Sequence, residues 1–131
     1  NMIEGIKEYG ISGYFFTSPL RFFYMEWVPK CWSWWLTSND NGGAIATLGN
    51  TGLGMGLWGF DYTTGLDGWL FPRFFYHYGT LGEQHIGMAH SSAITDYVNE
   101  FDINLDGEDR QMIQQWALIG DPSLMPGGYS N

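Results

Sequence analysis

The chain has 131 residues, the size of one domain, with 44% hydrophobic and 18% aromatic residues but only 15% charged ones, well under the roughly 25% of ordinary soluble proteins. Five Lys and Arg against fourteen Asp and Glu leave a net charge of −9, which argues against nucleic acid as a partner, since phosphate backbones are held by cations, and against anionic membrane surfaces. Seven Trp, eight Tyr and nine Phe need cover in a packed body or against a ligand, and their core-like spacings favour packing.

Ile3, Ile6 and Tyr9 recur at helical spacing before Gly10, so the opening Asn1-Met2-Ile3 falls inside a helix already under way and reads as a cut in a longer polypeptide. Tyr14-Phe15-Phe16 follows as a short strand or an aromatic loop, and the aromatic stretch 22–28 reads either way. Pro29 suits the first turn of a helix, where its missing N–H costs nothing; Cys31, Trp32, Trp35 and Leu36 would line one side of it. The turn cluster Ser38-Asn39-Asp40-Asn41-Gly42-Gly43 ends it.

Gly43-Ala44-Ile45-Ala46-Thr47-Leu48-Gly49 is short, apolar on both parities and bounded by Gly, which is how a strand covered on both faces reads in the middle of a parallel sheet. Asn50-Thr51-Gly52-Leu53-Gly54-Met55-Gly56 then places Gly at every second position, permitting close backbone approach. Ligands of open α/β sheets lie beyond the carboxyl ends of strands, so this loop is the best-placed site element.

A helix is predicted over 66–78, with Pro72 starting or kinking it. A longer one is predicted over 81–101, where Ile86, Ala89, Ala93, Tyr97 and Phe101 form a core-facing stripe. A short helix over 109–116 leads into the strand Ala117-Leu118-Ile119, and residues 120–129 are turn chemistry around one apolar pair. The apolar runs are far too short to cross a bilayer, and no repeat or linker divides the chain. Strands spaced by helices make an α/β pattern with a largely parallel sheet.

The side chains able to do chemistry each have a plainer reading. Cys31, the single cysteine, is flanked by Trp32, Trp34 and Trp35; it is either a nucleophile or a packed core thiol, and the setting favours the core. His77 lies within Phe74-Phe75-Tyr76-His77-Tyr78 and reads as a partly buried ring, while His85 and His90 are five apart and share a helix face poorly for a zinc pair. Asp102, Asn104 and Asp106 with Gly107 have the start of a calcium loop, but Ile113 stands where the bidentate carboxylate belongs; an Asp-rich turn before a helix is the alternative. Asp121 before Pro122 reads as a turn former. Trp32, Trp34, Trp35, Trp58 and Trp69 would serve a sugar platform or a core, with the core ahead.

Three stretches carry a resemblance. Gly43-Ala44-Ile45-Ala46-Thr47 with Asn50-Thr51-Gly52 resembles the strand and loop downstream of the nucleophile in gingipain-type cysteine peptidases. Trp116-Ala117-Leu118-Ile119-Gly120-Asp121-Pro122-Ser123-Leu124 is similar to the tail of that catalytic domain, where a Gly-Asp-Pro-Ser-Leu string closes the sheet. Glu26-Trp27-Val28-Pro29-Lys30-Cys31-Trp32-Ser33-Trp34-Trp35 looks like the family's archaeal and bacterial relatives, and order and spacing match across 26–129.

The resemblance implies an α/β fold, a partial caspase-like (gingipain-like) three-layer domain with a mainly parallel sheet, and thiol-dependent cleavage of peptide bonds. In that family the catalytic His ends one strand and the catalytic Cys the next, both N-terminal to the part matched here. Residues 1–131 would then be the C-terminal portion of a catalytic domain, with no catalytic residue of their own, no cofactor and the N-terminal part of the same domain as a missing partner. The enzyme would be secreted or cell-surface and act on peptides or proteins. Asn50, Thr51, Gly52, Leu53 and Met55 would shape the pocket for the residue before the scissile bond; this loop is richer in Gly than in the gingipains, so no basic-residue preference carries over. The competing expectation is a non-enzymatic, aromatic-rich carbohydrate-binding module.

Overall fold

The computed structural model describes residues 32–51, 54–57, 61–102 and 107–127. The expectations for residues 3–28, Pro29, Cys31, Gly52, Leu53, Trp58, Asn104, Asp106 and Tyr129 lie outside the described residues, and for Trp32 and Trp35 the backbone alone is described. In chain order the elements are helix α1 (Trp32–Thr37), strand β1 (Ala46–Asn50), a 3-10 turn (Tyr62–Thr64), helix α2 (Leu66–Phe75) running into a π-helical turn (Tyr76–Thr80), helices α3 (Ile86–Glu100) and α4 (Gly107–Gln115), and strand β2 (Trp116–Gly120). The chain is α/β.

The strands pair antiparallel, Ala46 opposite Gly120, Leu48 opposite Leu118 and Asn50 opposite Trp116. Among the described residues this is the one sheet, so the mainly parallel sheet expected from β1 is not seen there. The reason lies in what the pattern measures. A run apolar on both parities reports that both faces are covered, and says nothing about the direction of the neighbouring strand. The strand also starts later than its apolar run: Ile45 is 66% exposed, whereas Thr47 and Asn50 are buried.

The α3 stripe behaves as its 3.6-residue spacing requires. Ile86, Ala89, Ala93 and Tyr97 are buried, together with Leu66, Leu70 and Phe74 of α2, Met112 of α4 and Trp116 of β2. The small Ala89 and Ala93 add little bulk to the stripe, and rings fill the remaining space. Trp69 stands edge-on to Tyr97 and to Phe101, with centroids 5.3 and 5.6 Å away, the T-shaped arrangement that ring quadrupoles favour.

Helix boundaries differ from expectation, by one or two residues at α4 (Gly107–Gln115 against 109–116) and by more at α2 and α3. Helix α2 ends at Phe75, three residues before the predicted end at 78, and Pro72 lies inside it and not at its start; lacking an N–H, it costs the helix one internal bond. Helix α3 begins at Ile86, five residues after the predicted start at 81. Its first amides are capped from a distance: Ile86 donates to the Leu124 carbonyl at 3.0 Å and Gly87 to the Pro122 carbonyl at 2.9 Å. The Gly-Asp-Pro-Ser-Leu segment thus satisfies two of the N–H groups that every helix start leaves open. Asp121 shapes that segment, its carboxylate accepting from the Ser123 amide and hydroxyl at 2.9 and 2.7 Å, and those two bonds hold its pKa below the ordinary value. No helix among the described residues is long and apolar enough to cross a membrane.

Candidate functional site

β1 delivers Asn50 to the end of the strand, opposite Trp116. The next amide, that of Thr51, donates to the Gln115 carbonyl at 2.7 Å, tying the start of the loop to the junction of α4 and β2. Beyond Gly52 and Leu53 the loop comes back against the first turn of α2. There the Asp67 carboxylate gathers it: Oδ2 accepts from Asn50 Nδ2 at 2.6 Å and from the Met55 amide at 2.9 Å. The Asp67 amide in turn donates to the Met55 carbonyl at 3.3 Å. Met55 is therefore gripped through both of its backbone polar groups.

Asp67 is only 5% exposed and Asn50 8%. Burial pushes the Asp67 pKa up, and the hydrogen bonds from Asn50 and Met55 only partly oppose it. The other side-chain oxygens, Asn50 Oδ1 and Asp67 Oδ1, are buried with no hydrogen-bond partner among the described residues, an arrangement proteins tolerate at few positions. Gly54 fits between these groups because it has no side chain. A Cβ there would lie 2.6 Å from Asp67 Oδ2 and 2.9 Å from Asn50 Nδ2, so the alternating Gly pattern has at least this one steric reason.

Asp67 is reached through a strained step. Leu66, the residue before it, has φ of 54°, an uncommon conformation for a residue with a Cβ. Its amide donates to the Tyr97 hydroxyl at 3.1 Å, and that hydroxyl donates to Asp109. Helices α3 and α4 thereby fix the entry to α2.

Of the predicted substrate-binding set, Asn50, Thr51 and Met55 fall within the described residues and on one loop, while Gly52 and Leu53 do not. The histidines are dispersed. His77, buried in the π-helical turn, places Nε2 2.7 Å from Asp96 Oδ2, which also accepts from Arg73 Nε at 2.5 Å. Burial acts to raise the Asp96 pKa, but the bonds and charges of His77 and Arg73 outweigh it and hold the carboxyl low. His90 stacks on Trp116 at 4.6 Å, with Nε2 3.3 Å from the Trp116 carbonyl, and burial lowers its pKa against the pull of that bond. His85 is exposed at the start of α3.

No group of three His, Cys, Asp or Glu able to hold a metal occurs among the described residues; of the calcium candidates only Asp102 is described. Trp69 packs on Tyr97 and Phe101, whereas Trp34 is 39% exposed. The sequence reading missed Asp67. A lone acid in a first helical turn reads as a dipole complement, and its two partners lie 17 and 12 residues away. A family model described as Peptidase family C25 matches residues 17–127. Neither the curated proteins nor the solved structures give a match.

Proposed function

The chain belongs to peptidase family C25, the gingipain family of cysteine peptidases, and from that membership we propose that residues 1–131 are the C-terminal portion of a catalytic domain whose His and Cys lie upstream. The observation that carries this is the family match over 17–127. The fold proposed for the whole domain is caspase-like and three-layered, with a mainly parallel sheet. The antiparallel β2 is compatible with it, because otherwise parallel sheets often carry an antiparallel edge strand.

In this reading the upstream thiolate attacks the peptide carbonyl and the upstream imidazole protonates the leaving amine. The part played by this chain is positioning. Asn50, Thr51, Gly52, Leu53 and Met55 form one wall of the cleft beside the residue before the scissile bond. Both backbone groups of Met55 are taken by Asp67 and its half-buried side chain packs against the core, so Met55 serves this wall as the anchored end of the loop. The substrates are peptides or proteins, and the enzyme works outside the cell or at its surface. Of the platform residues of the carbohydrate-binding alternative, Trp69 is packed on other rings and Trp34 is 39% exposed.

The test is activity in the full-length polypeptide that carries this chain. Peptide hydrolysis abolished by iodoacetamide is expected there, and none from residues 1–131 alone. Hydrolysis that survives thiol alkylation, or that the 131-residue piece performs unaided, overturns the proposal.

A further inference from the structure

We infer that Asp67 is a positioning residue for substrate binding, holding Asn50 and Met55, the two ends of the loop that receives the peptide. This rests on the reading above that the loop borders the cleft.

Three observations converge on it. A buried carboxylate is costly unless its oxygens are matched to donors, and here one oxygen takes two donors from the same loop, Asn50 Nδ2 and the Met55 amide. The loop is moulded to that carboxylate: a Cβ on Gly54 would lie 2.6 Å from Asp67 Oδ2, so the carboxylate or the loop must shift to admit one. Strain is held at the neighbouring position, Leu66 at φ 54°, which persists only where the surroundings over-determine it. The Leu66 amide bond to Tyr97, backed by Asp109, does so from two other helices. A carboxylate that served only to complement the dipole of α2 would need none of these features, since exposed acids in a first turn do that with their charge alone.

The consequence for catalysis is specific. A cleft wall that holds the substrate equally in the ground state and the transition state contributes uniform binding, whose loss raises KM and leaves kcat unchanged. Loss of the clamp should therefore change KM and leave the reactivity of the distant thiol intact.

The experiment uses the full-length polypeptide with Asp67→Ala, Asp67→Asn and Gly54→Ala. It measures kcat and KM on short peptides, the rate of thiol alkylation by iodoacetamide, and exchange of the Met55 amide. Asp67→Ala and Gly54→Ala should each raise KM about ten-fold, with kcat and alkylation rate within about two-fold of wild type and Met55 protection at least about ten-fold lower. Asp67→Asn should stay near wild type, because its amide oxygen still accepts both N–H groups. Unchanged KM in folded Asp67→Ala or Gly54→Ala overturns the inference, as does a fall in alkylation rate parallel to the change in KM. If Asp67→Ala does not fold, Gly54→Ala decides. A wild-type polypeptide without thiol-dependent activity sinks the peptidase reading, and with it the positioning role. Loss of Met55 protection in that case would show that the clamp exists but serves the fold alone.

Discussion

Asp67 and Asp96 both bond to partners more than ten residues away along the chain, yet they couple stability to pH with opposite signs. The folded-state pKa of Asp67 is raised by burial above its ordinary 3.8, so the native protein holds this proton more tightly than the unfolded chain does. Stability is lost as pH rises from about 4 through the raised value, and is level above it. The pKa of Asp96 is lowered from the same starting value by His77 and Arg73 once burial is overcome. Its contribution is present above about 4 and disappears as pH falls through the lowered value. Denaturation midpoints across pH 2–8, roughly the range in which carboxylates titrate, should separate the two. Asp67→Asn is expected to remove a decline toward high pH, and Asp96→Asn a decline toward low pH. Tyr97→Phe should cost about 1–3 kcal/mol in urea unfolding, because it strips the Leu66 amide of its acceptor and Asp109 of a donor. At this scale the site was only partly legible. Asn50 and Met55 follow an apolar run and can be picked out by position, whereas Asp67 gains its role from groups brought to it by the fold.

The elements were legible where periodicity is strong. Ile86, Ala89, Ala93 and Tyr97 identify α3 and its buried face from spacing alone, and β2 from its apolar triplet. Boundaries set by distant groups were not. The start of α3 is fixed by carbonyls of Pro122 and Leu124, more than thirty residues away in sequence, so no local signal marks it. Gly87→Ala tests that contact by its sign. Inside a helix such a change ordinarily gains about 0.5–1 kcal/mol. Here the new Cβ would lie 2.6 Å from a Pro122 carbon, and a net loss of about 1–3 kcal/mol is expected in denaturant titration. Faster exchange of the Ile86 and Gly87 amides should accompany it.

For the molecule as a whole, one core joins α2, α3, α4 and β2, so a single truncation at its centre should be felt throughout. Leu70 has no solvent exposure; Leu70→Ala is expected to cost about 2–5 kcal/mol, a large share of the roughly 5–15 kcal/mol that domains possess, read as a lowered urea midpoint. The sequence by itself determined the α/β alternation, the core stripe of α3, the glycine loop after β1 and, through its motifs, the peptidase family. These are matters of local spacing and residue type, which no partner needs to supply. Tertiary structure alone decided that β1 pairs antiparallel with β2, that the tail caps α3 and that Asp67 holds the loop. Each joins groups distant along the chain, and the free energy of such a contact depends on geometry that exists only after the chain has packed.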